Sequence, residues 1–302
     1  MSQTYIDYKK YLNPSVISKL NSLELRARLV VEGFMVGLHK SPYHGFSVEF
    51  TEHRPYMQGD ALKDIDWKVY GKTEKFFIKQ YEEETNLRSY ILLDSSRSML
   101  FASEGNISKL EYAATLVASL SYLMIKQQDA VGLTLYSEKI NKYFPPKASK
   151  AYLQELLKQL AEVSASDKTN TASCLNSIAE KIKRRGLVII VSDFFDDINS
   201  ILSALKHFRY QKNEVIVFQI MDPLERNFSF GSDAVFKDLE TDDEMTTQPY
   251  QIQKAYKEAM ENFISKIKTE CLNSHIEYNL IETSMPFDKA LFGYIQKRSK
   301  LF

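Results

Sequence analysis

From Leu87 onward the chain alternates short runs of Val, Ile and Leu with longer stretches whose apolar residues recur at helical spacing. Six segments have strand character: YILLD, AVGLTLYS, KINKYF, GLVIIVSD, NEVIVFQIMD and HIEYNLIET. The third is short enough to be an edge. Between and after them lie KLEYAATLVASLSYLMIKQ, SKAYLQELLKQLAEV, TASCLNSIAEKIKRR, DINSILSALKHFRY, QIQKAYKEAMENFISKIKTECLNS and FDKALFGYIQKR, each with an apolar helical stripe. Strands this apolar must be buried on both faces, so the pattern predicts an α/β fold with a mainly parallel sheet covered by helices on either side. Such sheets bind ligands outside the carboxyl ends of their strands, where loops from several strands meet.

The remainder of the chain breaks that rhythm. NPSVISKLNSLELRARLVVEGFMVGL opens on Asn13-Pro14, holds few breakers and predicts one long amphipathic helix from Pro14 to about Leu38. FSVEF and KFFIKQY are strand-like. Residues 228–248 read as an inserted β-hairpin, expected to pack against the strand-like N-terminal region as a small lobe. The division expected is residues 1–85 for the N-terminal helix and β region, and 86–302 for the main α/β domain.

Charge narrows the partners. Thirty-nine basic residues balance thirty-nine acidic ones, which removes the electrostatic argument for nucleic acid or an anionic membrane. Cys174 and Cys271 have neither the spacing of a zinc site nor that of a disulfide scaffold, and a reducing compartment suits them. The N-terminus lacks a signal-peptide apolar region, and LVIIV at Leu187–Val191 is far too short to cross a bilayer. A cytoplasmic protein without direct membrane insertion is expected.

Two of the buried strands end in aspartate followed by polar loop. Asp94, Ser96 and Ser98 form D-x-S-x-S, and Asp193 ends LVIIVSD. In an extended loop alternate residues project to one side, so a carboxylate and two hydroxyls can converge on one hard divalent cation such as Mg²⁺. Helix N-capping explains Ser and Asp at such places equally simply. The position after a buried strand and the second carboxylate at Asp193 favour ligation. Thr169 or Thr171, at the start of TASCLN, offers a further hydroxyl, again with capping as the plain alternative. Asp196 and Asp197 are expected at the N-terminus of the following helix.

The residues Asp94 to Ser98, Thr169 and Asp193 resemble the metal-ion-dependent adhesion site (MIDAS) of von Willebrand factor A domains. The preceding HGFSVEFTEHRPYMQGDALKDIDWKVYGKTEKFFIKQYEEE, with Arg54-Pro55-Tyr56, Gly59-Asp60 and Asp64-Ile65-Asp66-Trp67, resembles the signature of the bacterial domain-of-unknown-function 58 family. MDPLE at Met221–Glu225 and FKDLET at Phe236–Thr241 fit the same pattern. The resemblance implies a von Willebrand factor A-like, doubly wound, mainly parallel six-stranded sheet with one short antiparallel edge strand, plus an N-terminal helix and a small β lobe. It implies Mg²⁺ or Mn²⁺ ligands at Asp94, Ser96, Ser98, Thr169 and Asp193. It also implies action with a MoxR-type AAA+ ATPase in assembling or activating other proteins, with an acidic residue of a client protein completing the metal shell. Lys168 stands where a glycine often precedes the threonine and Arg97 where a small residue is common, so two cations are expected beside the ion.

Other residues carry less. Trp67, the single tryptophan, is expected in the core, joining the N-terminal lobe to the main domain. Arg54, Asp60, Asp64 and Asp66 read as a structural ion-pair network. His44 and His53 are the nearest histidine pair, with nothing to complete a catalytic or metal set. Ser95, Ser96 and Ser98 have neither a nucleophile elbow nor an identifiable base, and no phosphate-binding glycine loop is present. The chain therefore reads as a non-enzymatic interaction module. A Mg²⁺-dependent phosphohydrolase using Asp94 and Asp193, or a metal-free scaffold, are the alternatives.

Overall fold

A computed structural model describes residues 12–39, 53–56, 65, 67–79, 87–165, 170–229, 234–237, 244–247 and 249–298. Helices α1 (Pro14–Ile17) and α2 (Leu23–His39) come first, then strand β1 (His53–Pro55), helix α3 (Trp67–Thr73) and strand β2 (Phe77–Lys79), with β1 and β2 antiparallel. The main domain follows as β3 (Arg88–Asp94), a 3-10 helix (Arg97–Leu100), α4 (Lys109–Lys126), β4 (Ala130–Tyr136), β5 (Ile140–Lys147), α5 (Lys150–Ala161) and α6 (Thr171–Lys181). It continues through β6 (Leu187–Ser192), α7 (Ile198–Tyr210), β7 (Glu214–Met221), α8 (Pro223–Asn227), β8 (Ala234–Lys237) and β9 (Glu244–Thr247). The last elements are α9 (Pro249–Asn273), β10 (Glu277–Glu282) and α10 (Phe287–Arg298).

Six strands form one sheet in the order β10-β7-β6-β3-β4-β5, parallel throughout except for the antiparallel edge strand β5. This is the mainly parallel α/β sheet the apolar alternation predicts. Pleating divides its residues between two cores. Ile91, Leu93, Leu187, Ile189, Val191, Ile216 and Phe218 face one, which α2, α4, α5 and α10 cover. Tyr90, Leu92, Val188, Ile190, Val215 and Val217 face the other, beneath α6, α7 and α9. β5 is an edge for a stated reason: Pro145 and Pro146 have no amide hydrogen to donate to a further strand. It approaches β4 so closely at Gly132 that a Cβ there would lie 2.7 Å from the Phe144 carbonyl oxygen.

Three expectations need correction. The single helix from Pro14 is two, because the Asn21-Ser22 pair restarts the helix and the Ser22 hydroxyl accepts from the Leu25 amide at 3.4 Å. Arg26 holds the break, donating to the Leu20 carbonyl at 2.7 Å and pairing with Glu111 of α4 at 2.6 Å. The KINKYF strand is the antiparallel edge expected, but it is longer than expected, running eight residues from Ile140 to Lys147. Trp67 is 60% exposed and meets Tyr70 edge-on, while Ile65 nearby is buried.

β8 and β9 pair antiparallel, and β1–β2 and β8–β9 are separate two-stranded sheets. FSVEF, His44, Asp60, Asp64 and Asp66 lie outside the described residues, as do Lys168 and Thr169.

Candidate functional site

The sheet reverses its winding between β3 and β6. From β3 the chain steps outward to β4 and β5, and then crosses back to β6, β7 and β10 on the other side. The carboxyl ends of β3 and β6 therefore lie side by side at the winding reversal, the place where α/β sheets hold ligands. Asp94 is the last residue of β3, and Asp193 directly follows β6. Both are fully buried.

Each aspartate is fixed by its own loop. Asp94 Oδ1 accepts from the Ser96 amide at 2.9 Å, and Oδ2 accepts from the Ser192 hydroxyl at 2.6 Å. Asp193 Oδ1 accepts from the Phe195 amide at 3.2 Å. That turn needs Phe194 at φ 62°, a left-handed conformation uncommon for a bulky residue, and Phe194 is wholly buried. The Phe194 amide in turn donates to Ser192 at 2.9 Å. A strained residue thus aims two successive amides at the strand-end oxygens.

Ser96 precedes the 3-10 helix as its N-cap, yet its side chain makes no capping hydrogen bond. Its hydroxyl lies 3.0 Å from that of Ser98 instead. Simple capping therefore does not account for D-x-S-x-S. Thr171 opens α6 with its amide donated to Asp196 Oδ2 at 2.9 Å, and its buried hydroxyl has no hydrogen-bond partner. Asp197 caps α7 through the Ser200 amide at 2.9 Å, whereas Asp196 serves the start of α6.

Electrostatics distinguish the two carboxylates. Burial first, and then the charge of Asp193, push the Asp94 carboxyl up to about 7, against the pull of hydrogen bonds from Ser192 and Ser96. Its hydrogen-bond partners are neutral. Asp193 has a cation: Lys109 Nζ donates to its Oδ2 at 2.8 Å and to Glu225 Oε1 at 2.7 Å. Lys109 is fully buried at the first position of α4, with the Phe195 ring 4.7 Å from its nitrogen. Burial lowers its pKa, but Asp193 and Glu225 together outweigh that and leave it raised. Glu225 also closes a capping box with Asp222 at the start of α8.

Asp94, Ser96, Ser98 and Asp193 are thus at one rim; nothing is described of Thr169, and Thr171 is the hydroxyl-bearing neighbour that is. Arg97 is half-buried on the 3-10 helix, and the cation on the strand-end carboxylate is Lys109, which the motif reading did not single out. A signal for it existed: a lysine at the first position of a helix opposes the helix dipole and needs an acidic partner. Glu225 was legible as the end of the D-x-x-E capping box. Among the described residues no cluster of three or more His, Cys, Asp or Glu converges on a metal. Carboxylate and hydroxyl oxygens are nevertheless the donors a hard divalent ion prefers. An Asp94 without a cationic hydrogen-bond partner, beside paired serine hydroxyls, fits one.

Comparison with known proteins bears on the whole assembly. A family model described as "Protein of unknown function DUF58" matches residues 52–263. An uncharacterized protein of Mycobacterium tuberculosis is 23% identical over 234 residues, 76% of this chain and 72% of its own length. Among solved structures, the conserved hypothetical protein BatB from Bacteroides thetaiotaomicron is 18% identical, with 71% of this chain and 99% of that one covered at a TM-score of 0.47. The SpRpn10 VWA domain is 11% identical, with 68% and 94% covered at a TM-score of 0.41. The family match takes in β3, the 3-10 helix, Lys109, Asp193 and Glu225, and on it the chain belongs to the Protein of unknown function DUF58 family.

Proposed function

We propose that this chain is a cytoplasmic, non-enzymatic protein-interaction module whose strand-end oxygens hold a divalent cation in the manner of a MIDAS. Asp94, Ser96 and Ser98 would hold Mg²⁺ or Mn²⁺, with Asp193 and a threonine of the loop before α6 completing the protein's share. The ion's chemistry there is that of a Lewis-acidic bridge to a carboxylate of a client protein. The family resemblance points to a MoxR-type AAA+ ATPase as the companion, with the pair acting in the assembly or activation of other proteins.

The observation that carries this reading is Asp94: a carboxylate buried at the winding reversal, in the field of a second carboxylate, with only neutral hydrogen-bond partners. Among the described residues no helix is long and apolar enough to cross a membrane.

Asp94→Ala tests the proposal. Mn²⁺ binding by titration calorimetry and capture of the companion ATPase should both weaken at least tenfold, about 1.4 kcal/mol or more, while the circular dichroism spectrum stays that of the parent. Unchanged capture would remove the metal bridge from the account. Turnover of phosphate esters with Mg²⁺, abolished in the same variant, would replace docking with hydrolysis.

A further inference from the structure

Lys109 is the least expected group in the molecule. Its ammonium is fully buried, donating to Asp193 Oδ2 at 2.8 Å and Glu225 Oε1 at 2.7 Å, with the Phe195 ring centroid 4.7 Å away. An ammonium so enclosed is held in place by its partners rather than by water, since burying it unpaired would cost several kcal/mol. Lys109 donates to one oxygen of Asp193 and the Phe195 amide to the other, so Asp193 carries a cationic partner. The oxygens of Asp94 are held by neutral donors alone.

We propose that Lys109 is a resident counter-ion that masks Asp193, so that a divalent cation at the strand ends draws direct carboxylate charge from Asp94 only. This rests on the metal-site reading above and deepens it. A cation facing one carboxylate without a counter-charge and neutral hydroxyls is underneutralised, and the ammonium on Asp193 repels it. Binding of the ion alone is accordingly weak. An incoming carboxylate supplies the missing charge, so ion and acidic partner bind cooperatively. Lys109 acts as a positioning residue through Asp193. Through Glu225 it also ties that carboxylate to α8, the element immediately before the β8–β9 hairpin.

The test is a charge-neutral exchange. Lys109→Met with Glu225→Gln removes one positive and one negative charge, so the local net charge is kept while Asp193 loses its ammonium. Met matches the volume of Lys and can lie against Phe195. Mn²⁺ affinity of the full chain, read by titration calorimetry or electron paramagnetic resonance with no partner present, should rise about tenfold or more over wild type. An affinity equal to or below wild type, in a variant with parental circular dichroism, overturns the masking role. Absence of Mn²⁺ binding by both proteins overturns the metal-site reading itself, a separate outcome. Should the double variant not fold, Glu225→Gln alone decides. It leaves Lys109 wholly to Asp193 and removes a negative charge, so Mn²⁺ uptake should fall several-fold, and unchanged uptake contradicts the proposal.

Discussion

Asp94 carries a pH dependence whose sign follows from its surroundings. Its carboxyl is raised from 3.8 to about 7 in the folded chain, by burial first and by Asp193 second. Folding therefore favours its protonated form. The stability this contributes is complete below about pH 4 and is lost as the pH climbs through about 7. In metal-free buffer the melting temperature should fall over that window for wild type. Asp94→Asn, isosteric and unable to ionise, should flatten the decline. A wild-type curve that instead rises from pH 4 to pH 7 would mean that another group dominates. The neighbouring Phe194 is a second residue-scale device. Its left-handed backbone turns two amides onto the site, and its side chain is fully buried. Phe194→Ala should cost about 3–5 kcal/mol in chemical denaturation.

Among the elements, α2 is integral to the main core. Ala27, Val30, Val31 and Phe34 share one apolar cluster with α4, α5 and the sheet. Phe34→Ala should destabilise the whole domain by about 3–5 kcal/mol in a single transition, and a separate early transition would show that α2 melts on its own. The six sheet strands were legible because runs such as LVIIVS leave a parallel, doubly covered strand as the reading that satisfies both faces. The break between α1 and α2 was not, since apolar spacing runs straight through Ser18–Ser22 while a serine cap and Arg26 interrupt the backbone. Trp67 misled for a different reason: a lone large aromatic is usually core, but α3 leaves it 60% exposed against Tyr70. At the site, Asp94, Ser96, Ser98 and Asp193 could be read because strand ends and alternation fix where they lie. Lys109 could not be paired by sequence spacing, because its partners are 84 and 116 residues away and meet it only through the fold.

The main domain is a mainly parallel sheet between two helical layers, with buried polar side chains gathered where the winding reverses. There the buried side chains Asp94, Ser96, Lys109, Asp193 and Asp222 are gathered within an interior otherwise lined mainly by Val, Ile and Leu. Such a cluster contributes little net stability and constrains geometry, which suits oxygens held in fixed positions for an ion. The central claim is that those oxygens share one divalent ion, and anomalous scattering from crystals soaked in Mn²⁺ tests it most directly. The account predicts a single peak at the carboxyl ends of β3 and β6, within direct or one-water reach of Asp94, Ser96 and Ser98, with Lys109 still on Asp193. No peak there at saturating Mn²⁺, or one bound elsewhere on the chain, would contradict it.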